Sequence, residues 1–274
     1  MNKITKISIV VFALSSMFVF SSCERDDEQN LDERNWQLVW SDEFDESKGS
    51  LPDSTNWNFE LGNGDNGWGN AELQSYTNDT ANIRMDGNGH LQIVAIKNGT
   101  SYTSARITTK GKFEQKLGRI EASIKLPYGP GIWPAFWMLG SNIDSVSWPA
   151  CGEIDIMEYR GQQPDIVHGS LHGPGYSGGN PVTKSYGLTQ GRFDTDFHLF
   201  AVEWDEEKID FFVDDYLFQR VYSDDVSGDW VYNQPFYLLL NVAVGGNFVG
   251  FPTSDTPFPQ TMTVDYVRVY NEIR

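Results

Sequence analysis

The chain is poor in cysteine, histidine and positive charge. Its 274 residues hold two cysteines, four histidines, and 20 Lys plus Arg against 38 Asp plus Glu. The resulting net charge of −18 argues against a nucleic-acid partner or an anionic membrane surface, since both require a basic footprint. It also favours a neutral ligand over a strongly sulfated one. The histidines offer little to a metal. His168 and His172 are four apart, but Gly169, Gly173, Pro174 and Gly175 forbid the helix on which that spacing would hold zinc. No internal repeat, heptad pattern or long amphipathic helix occurs. The Gly- and Asn-rich run 62–70 is a loop rather than a phosphate cradle, because no P-loop lysine or helix follows it.

Aromatics make up 14% of the residues and glycine numbers 26, a mix that suits strands and tight turns. Residues 118–126 alternate cleanly, with Ile120, Ala122, Ile124 and Leu126 on one face and Arg119, Glu121, Ser123 and Lys125 on a wet face. Residues 133–140 form a nearly continuous apolar run and read as a buried strand. Trp133 and Trp137 share one of its faces; Phe136 and Met138 share the other. Residues 90–96 and 102–109 read as a hairpin, as do 199–204 and 209–213, and 236–244 reads as a core strand. The pattern predicts one all-β domain over 35–274, a sandwich of two antiparallel sheets.

The N-terminus is of another kind. Lys3 and Lys6 precede an apolar run over 7–20 that is too short to span a bilayer, so 1–22 reads as a signal peptide. Its end, Phe20-Ser-Ser-Cys23, resembles a bacterial lipobox, which implies cleavage before Cys23 and a lipid on that residue. The acidic stretch 23–34 reads as a disordered tether. The expectation is an exported lipoprotein, anchored through Cys23 at the outer membrane or cell surface and otherwise monomeric. Cys151 is then left unpaired, as a buried thiol that packs as a small hydrophobe.

Chemistry concentrates in Trp148-Pro-Ala-Cys-Gly-Glu-Ile-Asp-Ile-Met-Glu-Tyr159. On a strand Glu153 and Asp155 share a face, whereas Glu158 falls on the other. One extra residue, Met157 or Ile156, forming a β-bulge would restore the parity and line up all three acids. Like charges in a row push pKa values apart, which separates a nucleophile from a proton donor. A solvated acidic face or a calcium site would use the same residues. Trp133, Trp137 and Trp148 stand beside the acids, and flat rings suit the C–H faces of sugars.

Glu153-Ile-Asp-Ile-Met-Glu158 resembles the signature of glycoside hydrolase family 16, and Gly131-Ile-Trp-Pro-Ala-Phe-Trp-Met-Leu-Gly140 is similar to its laminarinase branch. Tyr102-Thr-Ser-Ala-Arg106, His168-Gly-Ser-Leu-His-Gly-Pro-Gly-Tyr-Ser177, Asn241-Val-Ala-Val-Gly-Gly-Asn247 and Val264-Asp-Tyr-Val-Arg-Val-Tyr270 resemble it as well, in the family's order. The resemblance implies a β-jelly roll of concanavalin A-like type with a concave cleft. It also implies a retaining endo-β-1,3-glucanase that needs no cofactor for catalysis. Glu153 would be the nucleophile, Glu158 the acid/base, and Asp155 the group that tunes them, with the carboxyls about 5–5.5 Å apart. His172 would support the acids, and Asn70, Arg106 and Asn247 would join the tryptophans in binding glucan. Glu43, in Ser41-Asp-Glu-Phe44, and Asp265 would hold a structural calcium ion. Mixed-linkage glucan, agar, or a non-catalytic glycan-binding role remain as alternatives.

Overall fold

A computed structural model describes Gln29 and residues 31–273. The signal peptide over 1–22, Cys23 and most of the tether lie outside the described residues. The last tether residues are held to the domain: Asp32 accepts from Lys208 at 2.6 Å, and Arg34 pairs with Asp205 at 2.5 Å.

The described residues form seventeen strands: β1 (Asn35–Asp42), β2 (Asn58–Glu60), β3 (Gln74–Tyr76), β4 (Ile83–Met85), β5 (Leu91–Asn98), β6 (Ser101–Ser104), β7 (Arg106–Thr108), β8 (Gly118–Lys125) and β9 (Ile132–Gly140). After them come β10 (Glu153–Tyr159), β11 (Ile166–His172), β12 (Val182–Gly187), β13 (His198–Trp204), β14 (Lys208–Val213), β15 (Tyr216–Tyr222), β16 (Phe236–Val244) and β17 (Gln260–Ile273). They form two sheets. The larger runs β15-β14-β13-β8-β17-β5-β6-β3, with β1 on β17 and β4 on β5; the smaller runs β12-β11-β10-β9-β16-β7-β2. Pairing is antiparallel except where β3 meets β6.

The sheets close on one core. Ile120, Ala122 and Ile124 of β8 and Phe136 and Met138 of β9 are wholly buried in it. Burying each large apolar side chain contributes roughly 1.5–3 kcal/mol, and β16, buried along its whole length, anchors the small sheet. Among the described residues Cys151 is free, and it is buried, as expected.

Two expectations change. The run 102–109 is not one strand. It breaks at Ala105, so that β6 pairs with β5 while β7 pairs with β16 in the other sheet. Ala105 is fully buried at the crossing, where its small side chain lets the chain change sheets. The outer face of β8 is not wet either. Arg119 lies across it with Glu121, Glu203 and Asp215 at 2.8–2.9 Å, and Tyr270 donates to Glu121, so long polar side chains roof each other there.

Candidate active site

The acids sit on β10, in the middle of the small sheet. The bulge is present: Asp155 faces Ser170 and Glu158 faces His168, so Ile156 and Met157 together oppose Gly169. On the other side Asp155 pairs with Trp137 and Met157 with Phe136, which leaves Ile156 as the unmatched residue. Ile156 and Met157 are both buried, and the extra residue returns Glu158 to the face of Glu153 and Asp155.

Donors then fix each acid. Trp148 Nε1 donates to Glu153 Oε2 at 2.9 Å, and Trp133 Nε1 donates to Glu158 Oε1 at 3.1 Å. The Gly178 N–H donates to His172 Nδ1 at 3.1 Å, so this nitrogen carries no proton and Nε2 does. Nε2 stands 3.1 Å from Asp155 and 3.8 Å from Glu153. His172 thereby ties the first two acids together. Ser170 Oγ lies 3.5 Å from Glu158 Oε2.

Burial in this row disfavours charge. It pushes Glu153 up to about 8, with the Asp155 charge adding to the effect and His172 and the Trp148 N–H opposing it. Asp155 is raised by burial too. Glu158 goes well above the usual carboxylate range, first through burial and then through the neighbouring Asp155. The proton is therefore best held on Glu158. Negative charge is best tolerated on the pair that faces His172 and Trp148.

The flanks follow the same pattern. Trp133 and Trp137 share the cleft face, as their spacing predicted. Arg106 is sandwiched between Trp137 at 4.7 Å and Trp68 at 4.6 Å and pairs with Glu60 at 2.5 Å, so Trp68 braces the arginine. Asn70 meets Asn247 through a backbone bond of 2.8 Å, which brings two predicted sugar contacts together. Trp148 is 41% exposed and stands at the rim. Sequence reasoning cast the tryptophans as platforms and missed that two of them donate to the acids. It also missed Ser170 and the side chains of Glu72, Gln74 and Tyr76. The even spacing of those three, which puts them on one strand face, was the available signal.

Two metal readings concern acids of this structure. Glu43 accepts from Arg268 through both carboxylate oxygens, at 2.9 and 2.7 Å. Asp265 is the bulged residue of β17 and accepts from Ser123 at 3.3 Å. Each of the two acids expected to share calcium thus has a hydrogen-bond partner in the protein. Glu153, Asp155 and His172 do lie within 4.8 Å of one another. Nε2 of His172, however, carries the proton that bonds Asp155 and has no lone pair to give.

A family model described as "Glycosyl hydrolases family 16" matches residues 64–268, which contain the whole acid row. The chain belongs to this family. Among relatives, a beta-glucanase of Rhodothermus marinus is 43% identical over 248 residues, covering 86% of this chain and 85% of its own length. Glucan endo-1,3-beta-glucosidase A1 of Niallia circulans is 41% identical over 268 residues, 86% of this chain and 38% of that longer protein. The laminarinase catalytic domain of Thermotoga maritima MSB8 superposes with a TM-score of 0.82 at 48% identity, covering 88% of this chain and 100% of its own. The all-β jelly roll and the glycoside hydrolase class expected from the motifs stand.

Proposed function

We propose that the protein is a retaining endo-β-1,3-glucanase acting on neutral, laminarin-like β-glucan. The observation that carries this is the bulged row on β10, in which Glu153 and Glu158 share a face but receive different donors. In the first displacement a Glu153 oxygen bonds to the anomeric carbon. The glycosidic C–O bond breaks, and the leaving oxygen takes the Glu158 proton. In the second, water attacks the same carbon, Glu158 takes its proton, and the bond to Glu153 breaks. Water is the only co-reactant. Asp155, held by His172, keeps a charge between the two glutamates and so spreads their pKa values. Trp137 and the Arg106 sandwich supply flat surfaces for sugar rings. The relatives named as beta-glucanase, endo-1,3-beta-glucosidase and laminarinase support the glucan assignment.

Azide rescue tests the division of labour. On an activated glucoside, Glu158→Ala with azide is expected to yield a β-azide, and Glu153→Ala an α-azide. Reversed stereochemistry would exchange the roles, and an inverting wild type would overturn the mechanism. Products from laminarin, lichenan and agarose, compared side by side, test the substrate; release from agarose alone would refute it. We further propose that the enzyme is a monomer tethered through a lipid on Cys23, with the Phe20-Ser-Ser-Cys23 boundary as its support.

A further inference from the structure

One carboxylate of the cleft has no part in the mechanism above. Glu72 lies at the end floored by β16, β7 and β2, in the segment that joins the 62–70 loop to β3. Gln74 Nε2 donates to its Oε2 at 2.6 Å and Tyr76 OH to the same oxygen at 3.3 Å, while Asn70 Nδ2 stands 3.5 Å from Oε1.

The direction of these bonds is set from outside. An indole N–H can only donate, so Trp137 Nε1 at 2.8 Å makes the facing atom of Asn241 its oxygen. The Asn241 amide nitrogen then donates to Tyr76 OH at 3.1 Å, which sends the tyrosine proton on to Glu72. A second arm is fixed in the same way: the backbone N–H of Val244 donates to Gln74 Oε1 at 2.7 Å, so the Gln74 amide nitrogen must face Glu72. Both arms end on a group that only accepts. Gln74 and Tyr76 are buried and cannot turn to water, and Asn241 is 6% exposed. Burial raises the Glu72 carboxyl, and Gln74, Arg106, Asn70 and Tyr76 oppose that rise.

The first arm begins at a sugar-facing residue, the second at the backbone of the cleft-floor strand β16, and Asn70 reaches Glu72 directly. Trp137 is the cross-strand partner of Asp155 and stacks on Arg106, and Asn70 is tied to Asn247. We propose that Glu72 is a positioning residue for the glucan chain: fixed by Gln74, it accepts from the Trp137 arm and from Asn70, and so orients the Trp137 indole and the Asn70 amide against sugar units away from the bond being cut. A brace that served folding alone would not need its terminus beside the cleft, nor its arms rooted in the cleft floor.

The proposal rests on the cleft being a β-1,3-glucan site, and the experiment separates the two. Wild-type release from laminarihexaose tests that reading. The ratio of variant to wild type tests Glu72, on whichever glucan the wild type cleaves. For Glu72→Gln we expect KM for laminarihexaose to rise roughly 10- to 150-fold, the range for losing a charged hydrogen-bond acceptor, and KM for laminaritriose to change less than about threefold. Tyr76→Phe should act in the same sense, and Glu72→Gln with Tyr76→Phe should lose no more than the worse single variant. Should Glu72→Gln fail to fold, Tyr76→Phe carries the same chain-length comparison. Equal losses on both oligosaccharides, a loss borne by kcat alone, additive losses in the double variant, or no loss would each overturn the proposal.

Discussion

Replacing Trp133 with Phe removes one atom that matters to the chemistry, the N–H donated to Glu158 at 3.1 Å. The new ring keeps an aromatic face toward Phe248, whose centroid lies 5.2 Å from that of Trp133. A hydrogen bond to a charged group is worth about 1.5–3 kcal/mol, and one pKa unit corresponds to about 1.4 kcal/mol. Part of the bond survives when Glu158 is protonated, so the shift should be about one unit and two at most. Its sign follows from which form is favoured. The N–H stabilises ionised Glu158, and its loss raises a carboxyl already pushed up by burial and by Asp155. Glu158 must be protonated to attack glucan, so the alkaline limb of kcat/KM should move to higher pH. That limb belongs to the whole row, in which Glu153, Asp155 and His172 face Glu158, and it is compared between wild type and variant on the same laminarin. Deglycosylation uses Glu158 as a base and should not limit kcat/KM. An unmoved limb, or one that moves to lower pH, would refute the view that Trp133 holds the acid by its N–H.

Deleting Met157 removes the extra residue and leaves Glu153, Asp155 and Glu158 at even spacing, so a regular strand without the bulge keeps all three on one face. Laminarin turnover in the fraction that stays folded by circular dichroism is expected to stay within roughly tenfold of wild type, and a loss beyond roughly 10²-fold would show that the bulge itself, and not parity alone, places the acid. Glu153→Gln should be more stable than wild type at alkaline pH. A buried acid raised to about 8 from an ordinary 4.5 costs stability as pH climbs through that window, so the difference in Tm should be full above pH 8 and vanish below 4.5. A constant difference across pH would contradict this. Cys23→Ser should move activity from the membrane to the soluble fraction, and a variant that stays with the membrane would remove the anchor from the account.

The alternation of β8 and β9, the even spacing of Trp133 and Trp137, and the parity of Glu153, Asp155 and Glu158 are properties of a strand's two-residue period. They could be read from the chain because they require no partner. The need for a bulge was legible for the same reason, since three acids with mixed parity share a face only if one residue is added. Partners were not legible. Nothing local says that the N–H of Trp148 reaches the acid five residues on, that Gly178 fixes the tautomer of His172, or that Arg268 pairs with Glu43. The break at Ala105 is likewise invisible locally, because 102–109 alternates on both sides of it and only the two competing sheets decide which half pairs where. Alternation along one strand is short-range geometry and is written in the sequence. Hydrogen bonds between residues 25 to 225 positions apart, such as Trp133 to Glu158 and Glu43 to Arg268, exist only once the sheets close and water is excluded from the space between them.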